Sequence, residues 1–135
     1  MKMNAYRVAA IILGVLYLTG CDASVSSAYS TRVDAEADRL FERGWLPDFI
    51  PRSSRSITMT NNLDLNISSG EFRFDASEYD EFVAHLNREP AMDKNGSSSY
   101  SFDNWLFWLG PDRNSCIFRL DCKRKDGSEQ RRPLQ

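Results

Sequence analysis

The chain carries apolar residues with two different periods. Residues 31–44 and 75–89 place them at the three- and four-residue spacing of a helix face, and Pro90 closes the second segment. In the first segment, Thr31 and Asp34 resemble a capping box and Gly44 supplies a stop. The pattern predicts two amphipathic helices. Their apolar faces are Val33, Ala37, Leu40 and Phe41 in the first helix and Tyr79, Phe82, Val83 and Leu86 in the second.

Between and after these helices, apolar and polar residues alternate as they do in strands. The first group covers residues 56–60, 63–67 and 71–74, and the second covers 100–109 and 115–123. The order helix, strands, helix, strands predicts an α+β fold of the type α-β-β-α-β-β. We expect an antiparallel sheet of about four strands with two helices packed on one face.

The first twenty residues have the plan of an export signal. Lys2 and Arg7 form a basic start, and residues 8–18 form an apolar run of eleven, shorter than the roughly 20 residues of a membrane span. Leu18-Thr19-Gly20-Cys21 then resembles the lipobox of bacterial lipoproteins. This resemblance implies cleavage before Cys21 and a diacylglycerol thioether on its sulfur, which anchors the chain to a membrane. An ordinary secretory signal cut elsewhere is the alternative.

Asp22 follows the expected lipidation site. An aspartate at this position resembles the sorting signal that retains enterobacterial lipoproteins in the inner membrane. The resemblance implies a location at the cell inner membrane, with the domain on the periplasmic side. The outer membrane is the alternative, because the sorting rule differs between bacteria.

The sequence divides into four parts. Residues 1–20 form the signal peptide, 21–30 a lipidated tether, 31–125 a single α+β domain, and 126–135 a disordered tail. The tether is predicted because its small and hydroxyl side chains bury too little apolar area to order a chain. Roughly 115 residues follow the leader, a length that suits one domain with one modest core.

Removal of the leader makes the chain more acidic. The whole chain has 17 Lys and Arg, and without Lys2 and Arg7 it keeps 15 against 19 Asp and Glu, a net charge near −4. An acidic, exported chain lacks the broad basic face that nucleic acid binding needs. We therefore expect no nucleic acid partner. The expected partners are the membrane, through the lipid anchor, and an envelope protein.

Cys116 and Cys122 are the two cysteines that remain once Cys21 is lipidated, and an exported compartment favours disulfides. The residues between them alternate like a strand, however, and a strand of that length would hold the cysteines about 20 Å apart. A disulfide needs Cα atoms within about 7 Å. Two alternatives stay open: a strand with two free thiols, or a sharp bend with a disulfide between Cys116 and Cys122.

His85 is the single histidine of the chain, so a metal site built from several histidines is excluded. It lies between Val83 and Leu86 on the second predicted helix, and no Gly-x-Ser-x-Gly motif supplies a nucleophile. The sequence thus predicts no catalytic residues, no metal site and no cofactor, and a protein that is not an enzyme.

Apolar side chains occupy both faces of the predicted strand at residues 100–109. Alternate residues from Trp105 point to one face, and Leu106 and Trp108 point to the other. Either this strand is covered on both sides, or Leu106 and Trp108 belong to an exposed patch that binds a partner. Trp45 offers the same choice between a packed corner and a binding surface. Trp45, Leu106 and Trp108 are therefore the candidate partner-binding residues.

Residues 44–57 contain two prolines around Asp48, and Ser53-Ser54 precedes Ile57. The segment resembles a pattern of small bacterial lipoproteins, and this resemblance carries no assigned activity. Together with the lipobox, it indicates a membrane-anchored periplasmic lipoprotein that serves as a non-catalytic binding or interaction module of the envelope. The alternatives are an immunity or inhibitor lipoprotein directed against a periplasmic toxin, and a small envelope hydrolase.

Overall fold

One antiparallel sheet of seven strands organises residues 23–121, the part of the chain that the computed structural model describes. The strands are β1 (Ser24–Thr31), β2 (Arg55–Asn62), β3 (Ile67–Arg73), β4 (Asn87–Arg88), β5 (Ser98–Phe102), β6 (Trp105–Leu109) and β7 (Ser115–Asp121). Their order across the sheet is β1-β2-β3-β7-β6-β5-β4. Two meanders, β1 to β3 and β4 to β7, are therefore joined by the antiparallel pairing of β3 with β7.

Two short α-helices, α1 (Arg32–Ala37) and α2 (Tyr79–Val83), lie in the connections that follow β1 and β3. Single 3-10 turns precede α2 at Ala76–Glu78 and follow β4 at Pro90–Met92. Among residues 23–121, no helix is long and apolar enough to cross a membrane. We call the sheet face that packs against α1, α2 and residues 38–50 the inner face, and the opposite one the outer face.

Five phenylalanines form the centre of the core on the inner face. Phe72, Phe107 and Phe118 come from strands, and Phe74 and Phe82 come from the connection that carries α2. The Phe82 ring lies with its centroid 5.8 to 6.0 Å from those of Phe72, Phe74 and Phe107. Such tilted and edge-to-face pairs stabilise a core beyond the area that they bury. Phe82 thus packs α2 onto the centre of the sheet.

The predicted α+β fold, with about four strands and two helices packed on one face, is wrong, because seven strands dominate the structure. Residues 24–30, expected in a tether, form most of β1, since their backbone pairs with β2 and Tyr29 packs against the core. The strand expected at residues 100–109 is divided into β5 and β6, because Asp103 takes a left-handed φ of 50° and turns the chain. The two-residue strand β4 is too short to leave a pattern in the sequence.

The first helix is shorter than its apolar spacing predicts. Its capping box is confirmed: the Thr31 N–H donates to the Asp34 carboxylate at 3.0 Å, and the Asp34 N–H donates to the Thr31 hydroxyl at 3.3 Å. The helix stops before Arg39, whose left-handed φ of 58° breaks the helical path. Its buried residue is Ala35, whereas Val33, which the spacing places in the core, is 70% exposed.

The second helix keeps its predicted apolar face over a shorter length. Phe82 is buried, and Tyr79, Val83 and Leu86 pack half-buried against the core. The hydroxyls of Tyr79 and Tyr100 share a hydrogen bond of 3.0 Å, which ties α2 to β5. Burial, together with this hydrogen bond, raises the pKa of Tyr79 to about 12.

Gly70, in the middle of β3, allows a neighbouring strand and the Phe118 side chain to lie close to its backbone. A Cβ at this position would lie 2.0 Å from the Thr58 carbonyl oxygen and 2.7 Å from Cζ of Phe118. We expect Gly70→Ala to lower the free energy of unfolding by about 3 kcal/mol, the upper end for an overpacked site. Urea unfolding measures this loss.

Gly96→Ala is the matched control. Nothing lies within 4 Å of a Cβ at this position, and the left-handed φ of 78° alone costs about 1 kcal/mol for alanine. Equal losses in the two variants would contradict the role of close packing at Gly70.

Candidate functional site

A cleft of about 430 Å³ opens between a corner at residues 48–52 and the segment 78–85, which contains α2. Arg32 from α1 completes its lining. The volume falls in the range of small-ligand sites, about 300 to 1,000 Å³. A wider hollow of about 580 Å³ lies on the outer face above β1, β2 and β3, and most of the side chains that line it are small.

Arg32 holds the corner that forms the first wall of the cleft. Its guanidinium donates to the Asp48 carbonyl at 2.8 Å and to the Ile50 carbonyl. The same group pairs with Glu36 at 2.8 Å and lies over the Phe41 ring, 4.7 Å from its centroid. Each of the three guanidinium nitrogens of Arg32 thus donates one hydrogen bond within the fold, and the role of Arg32 in the cleft is to position the corner.

Glu78 links the corner to the second wall. Its carboxylate accepts hydrogen bonds from the Arg52 N–H at 3.1 Å, from the Ser53 N–H at 3.0 Å and from the Ser53 hydroxyl. Burial alone would raise the pKa of Glu78, but these hydrogen bonds and the nearby Arg32 guanidinium outweigh it and hold the pKa below its ordinary value. Glu78 is therefore ionised at neutral pH and serves as a clamp.

An aromatic shelf made of Phe49 and His85 lies in the cleft. The two rings stack with centroids 5.0 Å apart and an interplanar angle of 20°. Phe49 in turn meets Phe102 edge-on at 4.7 Å. The His85 imidazole is exposed and makes no hydrogen bond with another residue of the described range, so its nitrogens face solvent in the cleft.

Four polar groups of the cleft are available to a ligand. The Arg52 guanidinium and the carboxylates of Asp48 and Glu81 have no ion pair with any other residue of the 23–121 segment, and the His85 imidazole makes no hydrogen bond within it. The hydroxyls near the cleft are already used, since Ser53 donates to Glu78 and Ser54 donates to the Pro51 carbonyl. The arrangement offers one cation, two anions and a flat aromatic surface, which suits recognition of a partner with mixed charge.

Trp45, a candidate partner-binding residue, lies in the corner region on the inner side of the sheet. It is half-buried against the core, and its backbone N–H donates to the Leu40 carbonyl at 3.3 Å. Trp45 therefore lies in a packed corner, which is one of the two roles that the sequence allowed for it. The binding role of Trp45 stays a prediction.

Leu106 and Trp108 lie on the outer face, so the sheet separates them from Trp45. The segment 89–92 folds over this part of the sheet: the Trp108 indole N–H donates to the Met92 carbonyl at 3.2 Å, and the Ser101 hydroxyl donates to Glu89 at 2.7 Å. Leu106 is consequently only 9% exposed. Trp108 keeps partial exposure beside its cross-strand neighbour, Ile117, so the binding role predicted for this pair rests mainly on Trp108.

Cys116 carries a free, buried thiol on the inner face of β7, and burial raises its pKa well above the ordinary value. The strand predicted from Cys116 onward is present as far as Asp121. Cys122 lies outside the described residues, so the disulfide stays a prediction. The predicted lipidation site Cys21 and the predicted sorting residue Asp22 also lie outside them, as does the predicted tail at 126–135.

No motif or spacing in the sequence identifies the cleft itself. Its walls are about thirty residues apart in the chain, and no spacing rule relates the corner at 48–52 to the helix at 79–83. The one available signal was the pair Pro47 and Pro51, which forces a corner and displays the residues between them.

The first half of the fold has a counterpart among known families. Residues 23–73 match the YbbD head domain. This similarity to the YbbD head domain covers β1, α1, the corner and β2, and it ends with the last residue of β3. It includes one wall of the cleft and leaves α2, the other wall and four strands outside. No curated protein and no solved structure matches the chain significantly.

Replacement of Glu78 tests the clamp between the two walls. We expect Glu78→Gln to lower the free energy of unfolding at pH 7 by about 1 kcal/mol, because charge-assisted hydrogen bonds to residues 52 and 53 are weakened. The pKa of Glu78 is lowered by folding, so its stabilisation is complete above about pH 4.5 and is lost as the pH falls through the folded value. The difference between wild type and variant should therefore shrink at pH 3.

Urea unfolding at both pH values measures this difference. Glu81→Gln is the control, since its carboxylate lines the same cleft without a partner among the described residues. A Glu81→Gln loss as large as that of Glu78→Gln would contradict the clamp.

Proposed function

We propose that this protein is a lipoprotein anchored through Cys21 to the inner membrane, facing the periplasm, and that it is a non-catalytic binding module of the cell envelope. The observation that carries the proposal is the lipobox at Leu18-Thr19-Gly20-Cys21, which is followed within three residues by the folded strand β1. A domain joined so closely to its anchor works at the membrane surface.

The cleft between residues 48–52 and 78–85 is the binding surface in this proposal. The hydrogen bonds of Glu78 and Arg32 hold the walls of the cleft in place before a partner binds. A preorganised site loses less entropy on binding. The Phe49 and His85 shelf offers apolar area, and Arg52 and Glu81 offer one charge of each sign. A short protein segment that carries an aromatic or aliphatic side chain between opposite charges fits this chemistry.

Lipidation is tested by expressing the full chain and its Cys21→Ala variant in a bacterium with two membranes. We expect the wild type to sediment with the inner membrane and to have the intact mass of an acylated chain that begins at Cys21. The variant should lose both properties, because its side chain cannot form the thioether. A soluble wild type without added lipid mass would contradict the anchor.

The binding surface is tested by site-specific photocrosslinking in cells. A photoreactive phenylalanine analogue at position 81 faces the cleft, and the same residue at position 33 reports the exposed side of α1. We expect an envelope-protein adduct from position 81 and none from position 33. The adduct should be lost in the Arg52→Glu variant, which replaces the unpaired cation of the cleft with an anion. Adducts of equal yield from both positions, or an adduct insensitive to Arg52→Glu, would contradict the proposal.

A further inference from the structure

One end of the sheet gathers the start of β1 and the turn between β2 and β3. Ser24 pairs with Asn62, which pairs with Ile67, which pairs with Asp121. The Leu63 N–H donates to the Ala23 carbonyl at 3.2 Å. The β2–β3 turn, residues 63–66, is therefore bonded directly to the residue at which the described chain begins.

Exposed apolar side chains concentrate at this end. Of the six large apolar side chains exposed among residues 23–121, three lie here: Val25, Leu63 and Leu65. Leu63 is 53% exposed and Leu65 is 47% exposed, on a turn with no helix or strand beyond it. Clustered exposed apolar residues mark surfaces that contact a protein or a membrane.

The turn holds its leucines in a fixed position. The Asn62 side-chain oxygen accepts a hydrogen bond from the Leu65 N–H at 2.9 Å, and Asn66 takes a left-handed φ of 51° that returns the chain to β3. The two leucines are thus presented outward by a closed turn.

The proposed lipidation site is adjacent to this turn in the chain. Cys21 precedes Ala23, whose carbonyl accepts the hydrogen bond from Leu63, by two residues. Lys123, Arg124 and Lys125 follow Asp121, which pairs with Ile67 next to the same turn. Basic residues near a bilayer are attracted to its anionic headgroups.

We infer that the β2–β3 turn docks on the lipid bilayer, with Leu63 and Leu65 inserted at the interface beside the anchor. This inference rests on the proposed lipidation of Cys21. Asp64 stays at the headgroup level, since a carboxylate is not transferred into hydrocarbon, and the insertion is therefore shallow. The occupant of this surface is the lipid bilayer that holds the proposed anchor.

Val33 supplies a matched control because it is the most exposed large apolar residue of the described range. It belongs to α1, which follows the opposite end of β1 from Ala23. If exposure alone brought a side chain to the bilayer, position 33 would respond as position 65 does.

The test uses the full chain reconstituted into vesicles of phosphatidylethanolamine and phosphatidylglycerol that contain a nitroxide lipid. Cys122→Ser leaves the buried Cys116 as the one other cysteine that is not acylated, and an environment-sensitive fluorophore is attached at Leu65→Cys or at Val33→Cys. We expect severalfold stronger quenching by the lipid nitroxide at position 65 than at position 33. Leu63→Ser, added to the position-65 chain, should weaken that quenching.

The intact mass and vesicle flotation are recorded for every sample. An acylated, floating chain whose probe at position 65 is quenched no more than the probe at position 33 overturns the docking and leaves the anchor in place. A chain that is neither acylated nor floating overturns the anchor and the docking together. Quenching at position 65 that Leu63→Ser leaves unchanged overturns the role of the leucine pair.

Discussion

The pairing of β3 with β7 is the contact on which the rest of the structure depends. It joins two meanders through seven residue pairs that are at least 42 residues apart in sequence. Gly70 makes the pairing possible, since it leaves room for the Phe118 ring that connects the strands to the aromatic core. The similarity to the YbbD head domain ends at β3, so in this chain the last strand of the matched region is completed by a strand from outside it.

The apolar period located helices and strands well where tertiary packing agreed with local preference. The capping box at Thr31 and the apolar face of α2 are local features, and both were predictable. The number of strands was not predictable, because β1 is held by backbone pairing with β2 and its side chains are mostly small and polar. A left-handed residue such as Asp103 or Arg39 also redirects the chain without any change in the apolar pattern.

The candidate site was less predictable than the fold. Single residues suggested Trp45, Leu106 and Trp108, because large apolar side chains are the visible sign of a binding surface. Two of these residues are explained largely by packing, since Trp45 fills a corner and Leu106 is covered by residues 89–92. The cleft instead depends on hydrogen bonds from backbone groups to Glu78, which leave no pattern in the sequence.

The early start of β1 limits where the protein can work. An eight-residue strand spans roughly 26 Å, and in the proposed lipoprotein a single residue, Asp22, stands between the anchor residue Cys21 and Ala23. A lipoprotein with so short a connection keeps its domain at the membrane surface. Its reach is then the height of its own sheet, so a partner has to come to the membrane or already be embedded in it.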